Sequence, residues 1–420
     1  MNKKRRSAFT AGVVALALIA ASCGSDDDSS SSTEGATEDT AATEDSTATE
    51  DSTATEDSTA STDEMAEDEM AETECESPEP VSLQLQWFTQ AQFAGYFAAV
   101  DQGFYEEHCL DVTIVEGGVE IVPQTQLANG DVDFALAWVP KALASREAGA
   151  NITNIAQIFQ RSGTLQVSFV DAGITSPEDF AGKTIGNWGF GNEYEVFAGI
   201  GQAGLDPATD VSLVGQQFDM VALLEGDIDA AEAMTYNEYA QVLEAENPDT
   251  GELYQPSDFN VVNYEEIGVG MLQDGIWAST DRLNDDPEYR DQSVRFVAAS
   301  MEGWVYCREN VESCRDIVVA AGSTLGASHQ LWQMNEVNKL IWPSENGIGF
   351  IDQAAWDRTV EVSLNTPNLD GDTVLSVEPD AEAFTNDIVE EAWDLLASMD
   401  FDLSGSSYTP IEVTLEPGGE

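Results

Sequence analysis

The sequence predicts an α/β protein built as two sheet-based lobes, with extra helices gathered at the C-terminal end. From Val81 onward, short apolar stretches with two-residue alternation take turns with stretches of helical spacing, the signature of a mostly parallel sheet with helices on both faces. A second series of the same kind starts at Lys183–Asn187, and GMLQDGIWAS (270–279) reads as the return to the first lobe.

What precedes Val81 is of another kind. Lys3, Lys4, Arg5 and Arg6 lead into an apolar run from Ala8 to Ala21, so residues 1–22 read as an export signal, too short for a membrane span. Ala20-Ala21-Ser22-Cys23 resembles the processing site of bacterial lipoproteins, with Ala20 where Leu is preferred. That resemblance implies lipidation of Cys23 and anchoring, by lipid alone, at the outer face of the bacterial cytoplasmic membrane. Residues 23–80 then read as a tether. From Gly24 to Pro80 there is no Lys or Arg, and Glu-Asp pairs recur every six residues at 38, 44, 50 and 56. Such a tract has nothing to bury against its ordering entropy and spans roughly 40 Å as a coil.

Residues 81–420 hold 58 Asp and Glu against 11 Lys and Arg. Phosphate recognition needs the opposite field, so nucleic acid is excluded as a partner, and an anionic ligand is disfavoured unless one of the few bases lines its site. Beyond Cys23 four cysteines remain, and in an exported chain these are expected as bridges. Cys75 and Cys109 stand before the first two strands. Cys307 and Cys314 would lie about 10 Å apart on one continuous helix, so their bridge requires a break near Glu309-Asn310.

Taken in order, Val81–Trp87 alternates as a half-buried strand, and Phe93, Phe97 and Val100 with small residues between them form a helix whose thin face can lie on a sheet. Strands follow at 111–115 and 133–138, the latter ending in Trp138, with a short helix at 123–128 and another at 139–149. Residues 152–159 and 164–170 supply two more strands, closing the first part of lobe 1 (81–172). Lobe 2 (173–268) holds strands near 184, 211, 228 and 259, with helices at 192–203, 219–225 and 236–245 between them. Residues 269–420 return to lobe 1 and add helices such as 289–306 and 329–342.

Ligands of open α/β sheets bind beyond the carboxyl ends of the strands, where Trp87, Phe88, Gln90, Phe93 and Tyr96 are expected to gather. GNWGFGNEYE (186–195) opens a helix after a strand, so the amides of Gly191–Glu193 are expected to hold a neutral polar group. Its glycines have the wrong order for a dinucleotide fingerprint, and Glu193 and Glu195 occupy the first turn. His108 and His329 have no metal-ligand spacing, and His108 reads as an exposed turn residue. Asp227 and Asp229 read as solvated charge.

The strings QWFTQAQFAGYFAAVDQGFYEEHCLDVTI, QLANGDVDFALAW, GKTIGNWGFGN and DMVALLEGDIDAAEAMTYNE, in order and with spacing kept, resemble the thiamine-pyrimidine synthases and the related substrate-binding proteins of ABC importers. The resemblance implies a type II periplasmic-binding fold, two lobes joined by two crossing segments, closing over a small ligand. It implies a monomer working with an ABC permease and its ATPase, binding a thiamine pyrimidine precursor, riboflavin or a sulfonate. The synthase lysine falls on Ala137, its reacting histidine on Lys141, and its cysteine motif near MLQDGI (271–276), which has no Cys. No Schiff base can form at Ala137, so no catalytic residue, cofactor or metal is expected. The expected pocket comprises Trp87, Gln90, Phe93, Tyr96, Trp138, Trp188, Phe190, Asn192, Tyr236 and Asp274, rings stacking on a flat heterocycle while amides and a carboxylate orient it. A synthase-type enzyme, a sulfonate or taurine binder, and a sensor or adhesion module without an importer are the alternatives.

Overall fold

The computed structural model describes Cys75 and residues 77–420; the export signal, Cys23 and the acidic tract through residue 74 lie outside the described residues. The first strand, β1, is Glu79–Gln84, so Glu79 and Pro80 belong to the sheet rather than to the tether. With β2 (Leu110–Val115), β3 (Phe134–Trp138), β4 (Ile152–Gln157) and a late strand it forms a five-stranded sheet. β1 pairs in parallel with β2 and β3.

The chain then changes sheets earlier than the alternation suggested. β5 (Thr164–Phe169) does not join the first sheet but pairs antiparallel with β8 (Ala231–Met234) and β9 (Phe259–Asn263) in the second lobe. Its residues are almost all buried, and a strand buried on both faces has no polar side to betray its sheet. Beside them β6 (Thr184–Asn187) and β7 (Ser212–Gly215) run parallel, joined to β8 through an Ile185–Ala230 bridge. β10 (Asp274–Ser279) is the return strand and runs antiparallel between β3 and β4, with Asp274 opposite Trp138. Two segments, near 158–163 and 264–273, thus cross between the lobes.

Helices α1 (Ala94–Asp101), α2 (Phe104–Glu107), α3 (Pro123–Asn129) and α4 (Val139–Glu147) link the first strands. α5 (Tyr194–Gln202), α6 (Val221–Leu224) and α7 (Glu238–Leu243) belong to the second lobe, and α8 (Thr280–Asp285) follows β10. The thin face of α1 meets not the sheet but α9 (Pro287–Glu309). A Cβ on Gly303 would stand 2.0 Å from the Gly95 carbonyl oxygen, and one on Gly95 2.3 Å from the Trp304 ring, so glycine is required at this crossing. α9 starts at Asp286, whose carboxylate accepts from the amides of Glu288 and Tyr289, and stops at Asn310. α10 (Val311–Ala320) folds back from that break and brings the Cα atoms of Cys307 and Cys314 to 5.4 Å, where the expected disulfide forms. Cys75 and Cys109 are bridged as well.

α11 (Ala327–Ile341) spans the two lobes. Gln330 accepts from the Ala91 amide in the first, while Trp332 Nε1 donates to the Thr235 carbonyl and His329 meets Glu244 and Asn237 in the second. Beyond α12 (Gln353–Asn365) and α13 (Asp387–Leu396) the chain is not helical as expected. Pro367 and Pro379 fall between those two helices and Pro410 after them, Pro417 opens a single short turn, and residues 402–420 lie along α11 to end against α7, with the Gly418 amide on the Glu244 carbonyl. His108, expected to be exposed, is mostly buried 2.6 Å from Glu302. Asp229 likewise accepts from the Thr184 amide at 2.7 Å, whereas Asp227 is exposed.

Candidate functional site

A cleft of about 510 Å³ opens between the lobes, where the carboxyl ends of β1, β3, β6 and β8 face one another. That is the size of a small-molecule site. Each strand delivers an aromatic ring or a short loop carrying one: Trp87 after β1, Trp138 as the last residue of β3, Trp188 and Phe190 after β6, and Tyr236 after β8. Trp87, Gln90, Trp138, Trp188, Phe190, Asn192 and Tyr236 all line the cleft.

Three of the expected residues do not. Phe93 and Tyr96 are buried, Tyr96 edge-on to Trp304 at 5.6 Å, because three residues of helical spacing put both on the core side of the entry turn. Asp274 lies beneath the floor. Its carboxylate accepts from Gln86 Nε2 at 2.5 Å, Gln92 Nε2 at 3.1 Å and Trp138 Nε1 at 3.2 Å, so it fixes three side chains that do line the cleft. Burial pushes this carboxyl up to about 6, against the pull of those hydrogen bonds.

The glycine-rich loop is built differently from the expected amide cradle. The Gly191 amide donates to the Glu193 carboxylate at 2.8 Å and the Asn192 amide to the Gly189 carbonyl, so both are already engaged. The loop instead presents Phe190, flanked by two left-handed glycines and itself left-handed at φ 56°, with its ring 85% exposed at the rim. A non-glycine residue in that region carries strain of a kind that clusters at ligand sites. Behind the loop, the Trp188 amide donates to buried Glu232 at 2.8 Å, and burial raises the Glu232 carboxyl well above its ordinary range. Glu238, also on the cleft, accepts from the Met234 amide and from Asn237 and is pushed by burial up to about 7.

Beyond Gln86, Gln92, Asn237 and Glu238, two further cleft residues lie outside the expected pocket, Phe218 and Lys141. Phe218, in the polar loop after β7, packs between Trp87 at 4.7 Å and Trp188 at 5.7 Å, joining rings of the two lobes. A lone aromatic in GQQFDM was its signal. Lys141, in the first turn of α4, places its ammonium 2.6 Å from Asn192 Oδ1 and 4.7 Å from the centre of the Trp138 ring. Its signal was rarity, as the only lysine between residues 5 and 182. Among the described residues no cluster of His, Cys, Asp and Glu could hold a metal, and no helix is long and apolar enough to cross a membrane.

Two lobes with two crossing segments and a ligand-sized cleft between them define the periplasmic-binding class of α/β proteins. The periplasmic aliphatic sulphonate binding protein SsuA of Escherichia coli has this fold, with a TM-score of 0.51 at 14% identity over 80% of this chain and 94% of its own. Residues 90–313 match the family described as NMT1/THI5 like, and the chain belongs to that family. The formylaminopyrimidine-binding protein of Halalkalibacterium halodurans is 26% identical over 246 residues, 58% of this chain and 71% of the relative. The riboflavin-binding protein RibY of Chloroflexus aurantiacus is 25% identical over 322 residues, 74% of this chain and 86% of the relative.

Proposed function

We propose that this chain is the extracytoplasmic solute-binding component of an ABC importer, and that it captures a small planar heterocycle of the pyrimidine or flavin kind between its lobes. The observation that carries the proposal is the cleft shared by Trp87, Trp138 and Trp188, drawn from both lobes. Amides of Gln90, Asn192 and Asn237 beside the rings provide donors and acceptors for a heterocycle's edge. The relatives named for formylaminopyrimidine and riboflavin support the same ligand class. A sulfonate has less in its favour, since the likeness to the sulphonate-binding protein extends to the fold alone. Binding without catalysis is supported by Ala137, which lines the cleft without an amine, and by the cysteine-free MLQDGI segment entering β10. In this proposal the lobes divide near residues 160 and 268, Cys23 is the lipidated N-terminus, and the protein works as a monomer beside a permease and its ATPase.

The test is to purify the protein, denature it, and identify by mass spectrometry what is released, alongside a thermal-shift panel of riboflavin, aminopyrimidines and taurine. Stabilisation by the flat heterocycles is expected; a response to taurine alone contradicts the proposal. Labelling with an alkyne fatty acid in a bacterial host, lost in Cys23→Ser, checks the anchor. Permease and ATPase genes beside this one distinguish an importer component from a sensor.

A further inference from the structure

The described residues from 81 onward contain eleven Lys and Arg side chains. Eight are paired with carboxylates, and Lys183 and Arg161 donate to main-chain carbonyls. Lys141 differs from all of them. It is the one base that lines the cleft, and its partner among the described residues is the neutral amide oxygen of Asn192. An ammonium offers three N–H donors, and this contact uses one.

The surroundings make that arrangement costly. The half-buried Lys141 side chain holds its ammonium among Trp138, Gly191 and Asn192, and partial removal of a charge from water without a contacting counter-ion is unfavourable. Burial pulls Lys141 down to about 8, while the carboxyls of Glu232 on β8, Glu193 in the glycine-rich loop and Asp274 on β10 pull it back up from a distance. None of the three comes within ion-pair distance. The amine is therefore mostly protonated near neutral pH, in a cleft that supplies everything except a touching negative charge. Its place is also a junction: Lys141 belongs to the first lobe, Asn192 to the second, and the lysine stem runs under Gly191.

Resting on the planar-ligand proposal above, we infer that Lys141 is the specificity-determining residue of the cleft: it receives an ionised oxygen carried on the rim of the planar ligand, a carboxylate or a phosphate monoester, and ties that contact to the second lobe through Asn192. The ligand then supplies the missing counter-charge, and a neutral analogue leaves the ammonium as it stands. An overall acidic surface disfavours anions in general, so a single cation inside the cleft selects for one anionic group and against ligands with several.

Calorimetry on the purified protein tests this with one ring in three forms: a hydroxymethyl-aminopyrimidine, its carboxylate analogue and its phosphate ester, with riboflavin and riboflavin phosphate as a second pair. At pH 7 the wild type is expected to bind at least one anionic member about tenfold or more tightly than its neutral counterpart. Whether carboxylate or phosphate leads identifies the source of the oxygen. The preference should shrink as the pH rises through 8, collapse to about unity in Lys141→Met, and persist in Lys141→Arg. Equal or weaker binding of the anionic members by the wild type overturns the assignment while leaving the planar-ligand proposal standing, as does a preference that survives in Lys141→Met. Binding of taurine alone, lost in Lys141→Met, overturns the planar ligand but keeps Lys141 as an oxyanion receptor. Binding of none of these compounds overturns both.

Discussion

Replacing Asp274 by Asn removes a charge and keeps the shape, and the effect should depend on pH in a way that can be worked out beforehand. The folded protein holds this proton up to about pH 6, whereas an ordinary aspartate releases it near 3.8. Between those values the folded state binds more protons than the unfolded chain. The contribution of Asp274 to stability is therefore fully present below 3.8 and lost as the pH rises through 6. At 1.36 kcal/mol per pH unit, the loss between pH 4 and pH 8 is about 2 to 3 kcal/mol. The amide that Asp274→Asn introduces does not titrate, and so the variant escapes that loss. The substitution also carries a pH-independent cost of roughly 1 to 3 kcal/mol, because one of the oxygens that accept from Gln86, Gln92 and Trp138 becomes an NH₂. The measurement is urea unfolding of both proteins at pH 4 and pH 8. The stability of Asp274→Asn relative to wild type should improve by about 2 to 3 kcal/mol from the lower to the higher pH. Parallel pH profiles would show that burial does not hold this carboxyl protonated, and would refute the account of the cleft floor.

Other outcomes follow from the same geometry. Phe218→Ala removes two aromatic pairs worth about 0.5 to 1.5 kcal/mol each, so denaturant unfolding should show a loss of roughly 1 to 3 kcal/mol in stability. Gly303→Ala forces a methyl into the Gly95 carbonyl and should cost about 1 to 3 kcal/mol or more in denaturant unfolding, whereas Gly201→Ala, with nothing within 4 Å, should not. On loop entropy, breaking Cys75–Cys109 across 34 residues should cost about 4 kcal/mol and breaking Cys307–Cys314 across 7 about 2.5, read as separate unfolding shifts in the paired serine variants. Glu195, buried and pushed up to about 7 while accepting from the Met271 amide in the second crossing segment, loses stability as the pH rises through 7. Glu195→Gln should therefore gain on wild type between pH 5 and pH 8.

Much of the architecture was legible because local pattern and tertiary environment agree. The alternation of Val81–Leu85 matches one buried face of β1, and Trp87, Trp138 and Trp188 fall at strand ends because open sheets place their crevice there. The break at Asn310 was legible because the Cys307–Cys314 spacing rules out a straight helix. Where the reading failed, the deciding contact lay far away in sequence. Tyr96 is withdrawn from the cleft by Trp304, β5 is claimed by β8 and β9, and His108 is buried by Glu302. Lys141 is marked in the sequence only through the family resemblance, because a first-turn lysine on a helix most often faces water; only the folded chain brings Asn192 to it.

The most direct test of the two-lobed aromatic cleft is tryptophan emission during titration with riboflavin and with an aminopyrimidine. Saturable quenching with one site per chain, abolished or strongly weakened in Trp188→Ala, is the result the cleft predicts. Emission that stays flat with every planar compound, while taurine saturates the protein in calorimetry, would contradict it.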